Sequence, residues 1–126
     1  MAVIALVGWV LNSLLGLYML KARRQRLALF HLAVMLTGLG LWVGFVAADV
    51  VALAWLAWAV LNVGNGLGDT LLTRGWRRRN PTAPGNAYWQ AAKEATFTTK
   101  RPLPLAHGFL AGGTYFTALA AAVISS

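Results

Sequence analysis

An all-α, integral membrane four-helix bundle is the fold class this sequence predicts, and three observations predict it. The chain of 126 residues is 59% hydrophobic, with a mean hydropathy of +0.63. Its apolar residues collect into four long stretches, each close to the ~20 residues needed to cross a ~30 Å hydrocarbon core. All 11 Lys and Arg fall in two places: Lys21, Arg23, Arg24 and Arg26, then Arg74, Arg77, Arg78, Arg79, Lys93, Lys100 and Arg101. Such asymmetry is the positive-inside pattern. It predicts a multi-pass protein of the cell inner (cytoplasmic) membrane, with loops 21–26 and 74–102 in the cytoplasm and both termini outside.

The net charge of +8 sits beside the spans. It therefore predicts anionic lipid headgroups as partners and argues against nucleic acid. No cysteine is present, which excludes disulfides and thiolate metal sites. The length suits one transmembrane domain, 1–126, and leaves no room for a separate soluble one. Residues 1–20 lack the basic start of a signal peptide and are read as a retained first span.

Span 1, about 2–20, carries Trp9, Asn12, Ser13 and Gly16 on one helical stripe. Span 2, about 27–48, returns after a short loop and places His31, Met35, Gly38, Trp42 and Phe45 on one face. Asp49 marks a tight turn. Span 3, about 50–73, has the most polar stripe, Trp55, Trp58, Asn62, Asn65, Asp69 and Thr73. In the second basic loop, Asn86 is placed to cap a short helix over about 87–96. Its Tyr88, Trp89 and the nearby Phe97 suit a membrane interface. Pro102 and Pro104 start span 4, about 103–124, where proline is tolerated in a first turn. Its face holds His107, Leu110, Thr114, Thr117 and Ala121. Gly40 with Gly44, Gly64 with Gly68, and Gly108 with Gly112 are Gly-xxx-Gly pairs, read as helix-packing devices.

The two halves look related. Val10-Leu11-Asn12 matches Val60-Leu61-Asn62, an offset of 50, and Leu29-Phe30-His31 matches Leu105-Ala106-His107, an offset of 76. Each half would run out-to-in and back, a 2+2 parallel repeat about an axis along the membrane normal.

Depth counted from the cytoplasmic boundary places His31, His107, Asp69 and Gly16 in one layer, ~6 Å inside at ~1.5 Å per residue. Ionisable residues inside a span are costly and point to function. Spans 2 and 4 are diagonal in an up-down bundle, so the two histidines would face each other. That geometry suits a b-type haem with two axial imidazoles. Gly16, Gly66 and Gly68 would make room for the ring, Arg24, Arg26, Lys100 and Arg101 would meet its propionates, and Asp69 would orient a ligand histidine.

The pattern Asn12-Ser13-x-x-Gly16, a basic loop, His31, and a later Leu-x-His-Gly at 105–108 resembles small four-span membrane proteins of haem handling and respiratory-oxidase assembly. The resemblance implies haem handling; together with the histidine pair it gives the expectation of a bis-histidine haem b protein for electron transfer or haem handling, with a quinone as a further partner.

Other readings stay open at this point. Either histidine could sit at the interface, bonded to lipid phosphate or backbone. His31, His107 and Asp69 could bind a divalent metal if all three converged. Asn62, Asn65 and Asp69 could line the polar path of a small oligomeric transporter or channel. The chain could also be a non-catalytic accessory subunit of a larger membrane complex, packed through its glycine faces. No serine–histidine–acid set, paired carboxylates or nucleotide-binding glycine loop is visible, and the chain does not read as an enzyme.

Overall fold

The computed structural model describes residues 1–20, 25–98 and 102–126, and every regular element in them is a helix. These are α1 (Ala2–Leu20), α2 (Arg26–Ala48), α3 (Val51–Arg79), α4 (Ala87–Lys93) and α5 (Pro102–Ile124), with one π-helical turn, Glu94–Thr98, after α4. Four of them, α1, α2, α3 and α5, are long and apolar enough to cross a membrane. By length and hydropathy the chain is an integral, multi-pass membrane protein.

The helix ends follow from local chemistry. The turn between α2 and α3 is made by Asp49, whose φ of 53° lies in the left-handed region that short polar side chains tolerate best after glycine. Its N–H donates to the Phe45 carbonyl at 2.8 Å. At the other end, α3 continues past the expected 73 to Arg79. The apolar run ends near 73, but no proline follows until Pro81, and the single Gly75 does not stop the helix. Arginine is a good helix former, and the helix stops only at Asn80, before Pro81.

That extension has a packing partner. Trp76 is buried with Ala87 and Ala91 of α4, against Leu72 and Ala83. Asn86 caps α4 as expected, its side chain accepting from the Tyr88 N–H at 2.9 Å. The Arg77 guanidinium donates to the carbonyls of Ala83 and Gly85, at 2.9 and 3.1 Å, and Arg79 pairs with Glu94 at 2.8 Å. The expectation for the arginine run, a topology and headgroup signal, leaves out this role of strapping the following turn to α3.

Among the described residues α1 packs on α2 and α5, and α3 packs on the same two; the backbones of α1 and α3, and of α2 and α5, do not approach each other. The four long helices thus form a square with α2 and α5 on one diagonal. The core gathers at one end, near the termini and the Asp49 turn: Ala5, Trp9, Trp42, Phe45, Ala54, Ala57, Leu61, Ala118, Ala121 and Ala122, with Met35 beneath them. Trp9 and Trp42 have no exposed surface. A buried indole N–H needs an acceptor. Trp9 finds the Met35 carbonyl and Trp42 the Ala2 carbonyl, both at 3.1 Å, so two indoles cross-link α1 and α2 reciprocally. Gly38 exists for this packing, because a Cβ there would lie 2.6 Å from the Trp9 ring.

The expected α2 face is the core face, with Met35, Gly38, Trp42 and Phe45 all buried. The polar stripe of α3 lies off the core. The buried positions of α3 are Ala54, Ala57, Leu61 and Gly64, while Trp55, Asn62 and Asp69 are exposed. Small residues fill the core line of α3, and the polar stripe lies beside it.

Candidate functional site

At the opposite end of the bundle, where the basic residues lie, His31 and His107 face each other along the α2–α5 diagonal. Their ring centroids are 6.3 Å apart, with the planes at 79°. Each ring rests on a glycine of a neighbouring helix. A Cβ at Gly68 of α3 would lie 3.5 Å from His31 Cε1, and a Cβ at Gly16 of α1 would lie 3.3 Å from His107 Cε1. His31 Nδ1 is 3.0 Å from the Gly64 carbonyl oxygen. A carbonyl only accepts, so Nδ1 donates, and in the neutral imidazole Nε2 keeps its lone pair. His107 turns the same edge toward α1. Its Nδ1 is buried against the Asn12 main chain without closing a hydrogen bond.

The histidines open into a cavity of about 1020 Å³, at the top of the range for small-molecule and cofactor sites. Its walls come from all four long helices and from α4 and the turn after it. Asn12, only 2% exposed, lines it with an unpartnered Oδ1, and the buried Ser13 Oγ beside it is also unpartnered. In an apolar setting such orphans are costly and call for a partner.

Part of the wall recurs along the chain at constant offsets. Ser13, Gly16, Met19 and Leu20 of α1 line the cavity, as do Asn65, Gly68, Leu71 and Leu72 of α3, 52 residues on. Ala28, His31, Leu32 and Met35 of α2 correspond to Pro104, His107, Gly108 and Ala111 of α5, 76 residues on. The buried core follows the same registers: Ala5, Trp9 and Asn12 against Ala57, Leu61 and Gly64. The offset of 50 sets Asn12 against Asn62, two residues in different environments. Asn12 is buried, whereas Asn62 is exposed and donates to the Trp58 carbonyl of its own helix at 2.8 Å.

The expected site residues divide accordingly. The structure brings together His31, His107, Gly16, Gly68, Asn65 and Asp69 on one cavity. It does not bring Gly66 or Asn62 there; Gly66 is exposed, with open space where a Cβ would be. Arg26 is exposed and is not part of the wall, and Arg101, with Arg24 and Lys100, lies outside the described residues. Among the described residues Asp69 makes no hydrogen bond to a histidine and no ion pair with Arg74, and no three of His, Asp and Glu converge as a metal site.

Several wall residues were read in the sequence as topology or packing residues and not as part of a site. Arg78 and Arg79 line the cavity near its basic mouth, because α3 continues through the arginine run. Gly108 and Gly112, read there as a packing pair, have nothing within 4 Å of a Cβ position and bound open space. A Gly-xxx-Gly pair next to a histidine was the available signal, but the motif alone cannot say whether it faces a helix or a void.

Fold and site together describe a small four-span membrane protein with a pocket between its helices headed by two facing histidines. In comparisons with known proteins, no family model, no curated protein and no solved structure matches the chain.

Proposed function

We propose that the chain is a haem-b-binding membrane protein, holding the haem through His31 and His107 and serving electron transfer or haem handling. The observation that carries this reading is the histidine pair. Two imidazoles sharing one metal ion at ~2.0–2.1 Å per bond stand roughly 6 Å apart, centre to centre; these stand at 6.3 Å. The His31 Nδ1–H on the Gly64 carbonyl supports it too, since a ligand histidine donates its other N–H to fix ring and tautomer. The cavity volume and the glycines at 108 and 112 supply room for a flat ring, and Arg78 at the mouth is a cation for a carboxylate-bearing edge. When bound, a haem of this kind supplies one-electron chemistry. The protein's own part is to orient two imidazoles and exclude water with an apolar wall.

The same reading takes the basic end as cytoplasmic, both termini as outside and the membrane as the cell's inner one, on the charge asymmetry. It places α4, with exposed Trp89 and the exposed Phe97 after it, along the membrane surface. It takes the halves as a parallel repeat, supported by the constant offsets of 52 and 76 in the walls. A transport path through Asn62, Asn65 and Asp69 has less support, because Asn62 is turned outward and Trp9, Trp42 and Leu61 fill the far end.

The test is an absorption spectrum of protein purified from haem-replete cells. A Soret band is expected, lost in both His31→Ala and His107→Ala. A colourless wild-type protein overturns the proposal.

A further inference from the structure

α1 and α3 stand at opposite corners of the square, each packed on α2 and α5, so each turns one face away from the other helices. On α1 that face is Val3, Val7, Val10, Leu14 and Leu17, all exposed, apolar and bulky, a surface suited to lipid. The outer face of α3 is of another kind. The line opposite its buried positions runs through Leu56, Ala59, Val63, Gly66, Thr70 and Thr73, the first four exposed and the last two half-buried. These residues recur at alternating steps of three and four, the ~3.5-residue period of a left-handed helix pair. Ala59 and Gly66 are small, and Gly66 has open space where a Cβ would be. The Thr70 and Thr73 hydroxyls are already satisfied, donating to the Gly66 and Asp69 carbonyls of their own helix. Opposite charges flank the line. Asp69 stands on one side and Arg74 on the other, both exposed, and among the described residues neither makes an ion pair. Asn62, on the Asp69 side, is exposed midway between Val51 and Thr73, the depth farthest from water. A carboxylate and an amide turned out of the bundle within a span are costly against lipid and call for a partner.

We propose that this face of α3 packs on the same face of a second copy, in a parallel dimer about a two-fold axis along the membrane normal. Copies inserted by one charge pattern share one orientation, and a two-fold axis lays the acidic flank of each helix against the basic flank of the other. In a parallel helix pair, flanking charges meet when they lie about five residues apart, and they set partner and orientation. Asp69 and Arg74 have that spacing. Asp69 of each copy therefore meets the partner's Arg74, and one face yields two ion pairs. Ala59 and Gly66 let the backbones come close. Arg77, the next residue of the line, is drawn off it onto the Ala83 and Gly85 carbonyls, which takes its charge away from the seam. Anionic lipid covers the face less well, because it attracts Arg74 and repels Asp69. An unrelated helix would have to supply both charges at this spacing, whereas a second copy carries them by construction. The dimer does not depend on the haem reading.

The chain has no cysteine, so single introduced cysteines report the contact directly. Oxidation in membranes is expected to link Ala59→Cys and Gly66→Cys into a species of twice the chain's mass. Val7→Cys and Leu14→Cys, on the outer face of α1, are expected to stay unlinked. Energy transfer between copies labelled at Ser126→Cys and diluted in liposomes then measures the affinity. Gly66→Leu meets nothing within the single copy; it should weaken association by at least about tenfold while helix content by circular dichroism stays unchanged. Asp69→Asn and Arg74→Gln each remove both ion pairs, and each should weaken association by about tenfold. No link at Ala59 and Gly66, equal linking on α1, a linked product of any other mass, or association indifferent to both Gly66→Leu and Asp69→Asn overturns the dimer. The two proposals fail separately: a Soret band in a protein that does not associate removes the dimer alone, and association of a colourless wild type removes the haem alone.

Discussion

The two ends of this bundle are built from opposite choices of side-chain size. At the termini end, Trp9, Trp42, Phe45 and Leu61 fill the space between helices, and alanines on α3 and α5 let them in. At the basic end, glycines take the corresponding places around two histidines, and a cavity of about 1020 Å³ remains. In a bilayer the helices gain nothing by hiding apolar surface from one another, because lipid is as apolar as leucine; close packing and interhelical hydrogen bonds must hold them together. A cavity forfeits such contacts. The difference teaches that the filled end, with its reciprocal indole bonds, acts as the clamp that lets the other end stay open.

The comparison can be broken most severely at the clamp. Trp42→Ala removes the ring that touches Trp9 and Phe45 and the bond to Ala2. It is expected to cost about 3–5 kcal/mol, read from unfolding in detergent. A loss below about 1 kcal/mol would show that this end does not hold the bundle.

A pair of glycine substitutions sharpens the contrast. Gly38→Ala sets a methyl against the Trp9 ring and should cost about 1–3 kcal/mol. Gly108→Ala meets nothing within 4 Å and should be neutral or stabilise by up to about 1 kcal/mol, the helix-propensity difference. Equal melting shifts for the two would erase the distinction between the ends. The smallest effect belongs to the strap over the cavity mouth. The Arg79–Glu94 pair is partly exposed, 43% and 34%, so Glu94→Gln should change stability by less than about 1 kcal/mol. A larger drop in thermal unfolding would mean that α4 and its π-helical turn are part of the clamp.

How much of this could be read beforehand depended on the kind of signal. The spans were legible because hydrophobic length and charge placement are properties of single segments: α1 runs from Ala2 to Leu20 as expected, and Asn86 caps α4. The facing histidines were legible because equal depth and a square bundle leave them one diagonal. The polar stripe of α3 was legible but its core line was not, since the alanines and the glycine that form much of that line carry little weight in a hydrophobic pattern. The end of α3 misled for another reason. Loss of hydrophobicity marks where a membrane ends and not where a helix ends, and Trp76 is held by residues of α4.

The sequence by itself determined that the chain crosses a membrane, how many times, and which segments do so, since those questions are settled residue by residue against lipid and water. It also determined that two histidines share one depth. Only the tertiary structure decided which glycines are filled by a neighbour and which border a void. A missing side chain makes no choice of its own; whether Gly38 receives Trp9 or Gly108 receives nothing depends on the helix packed opposite.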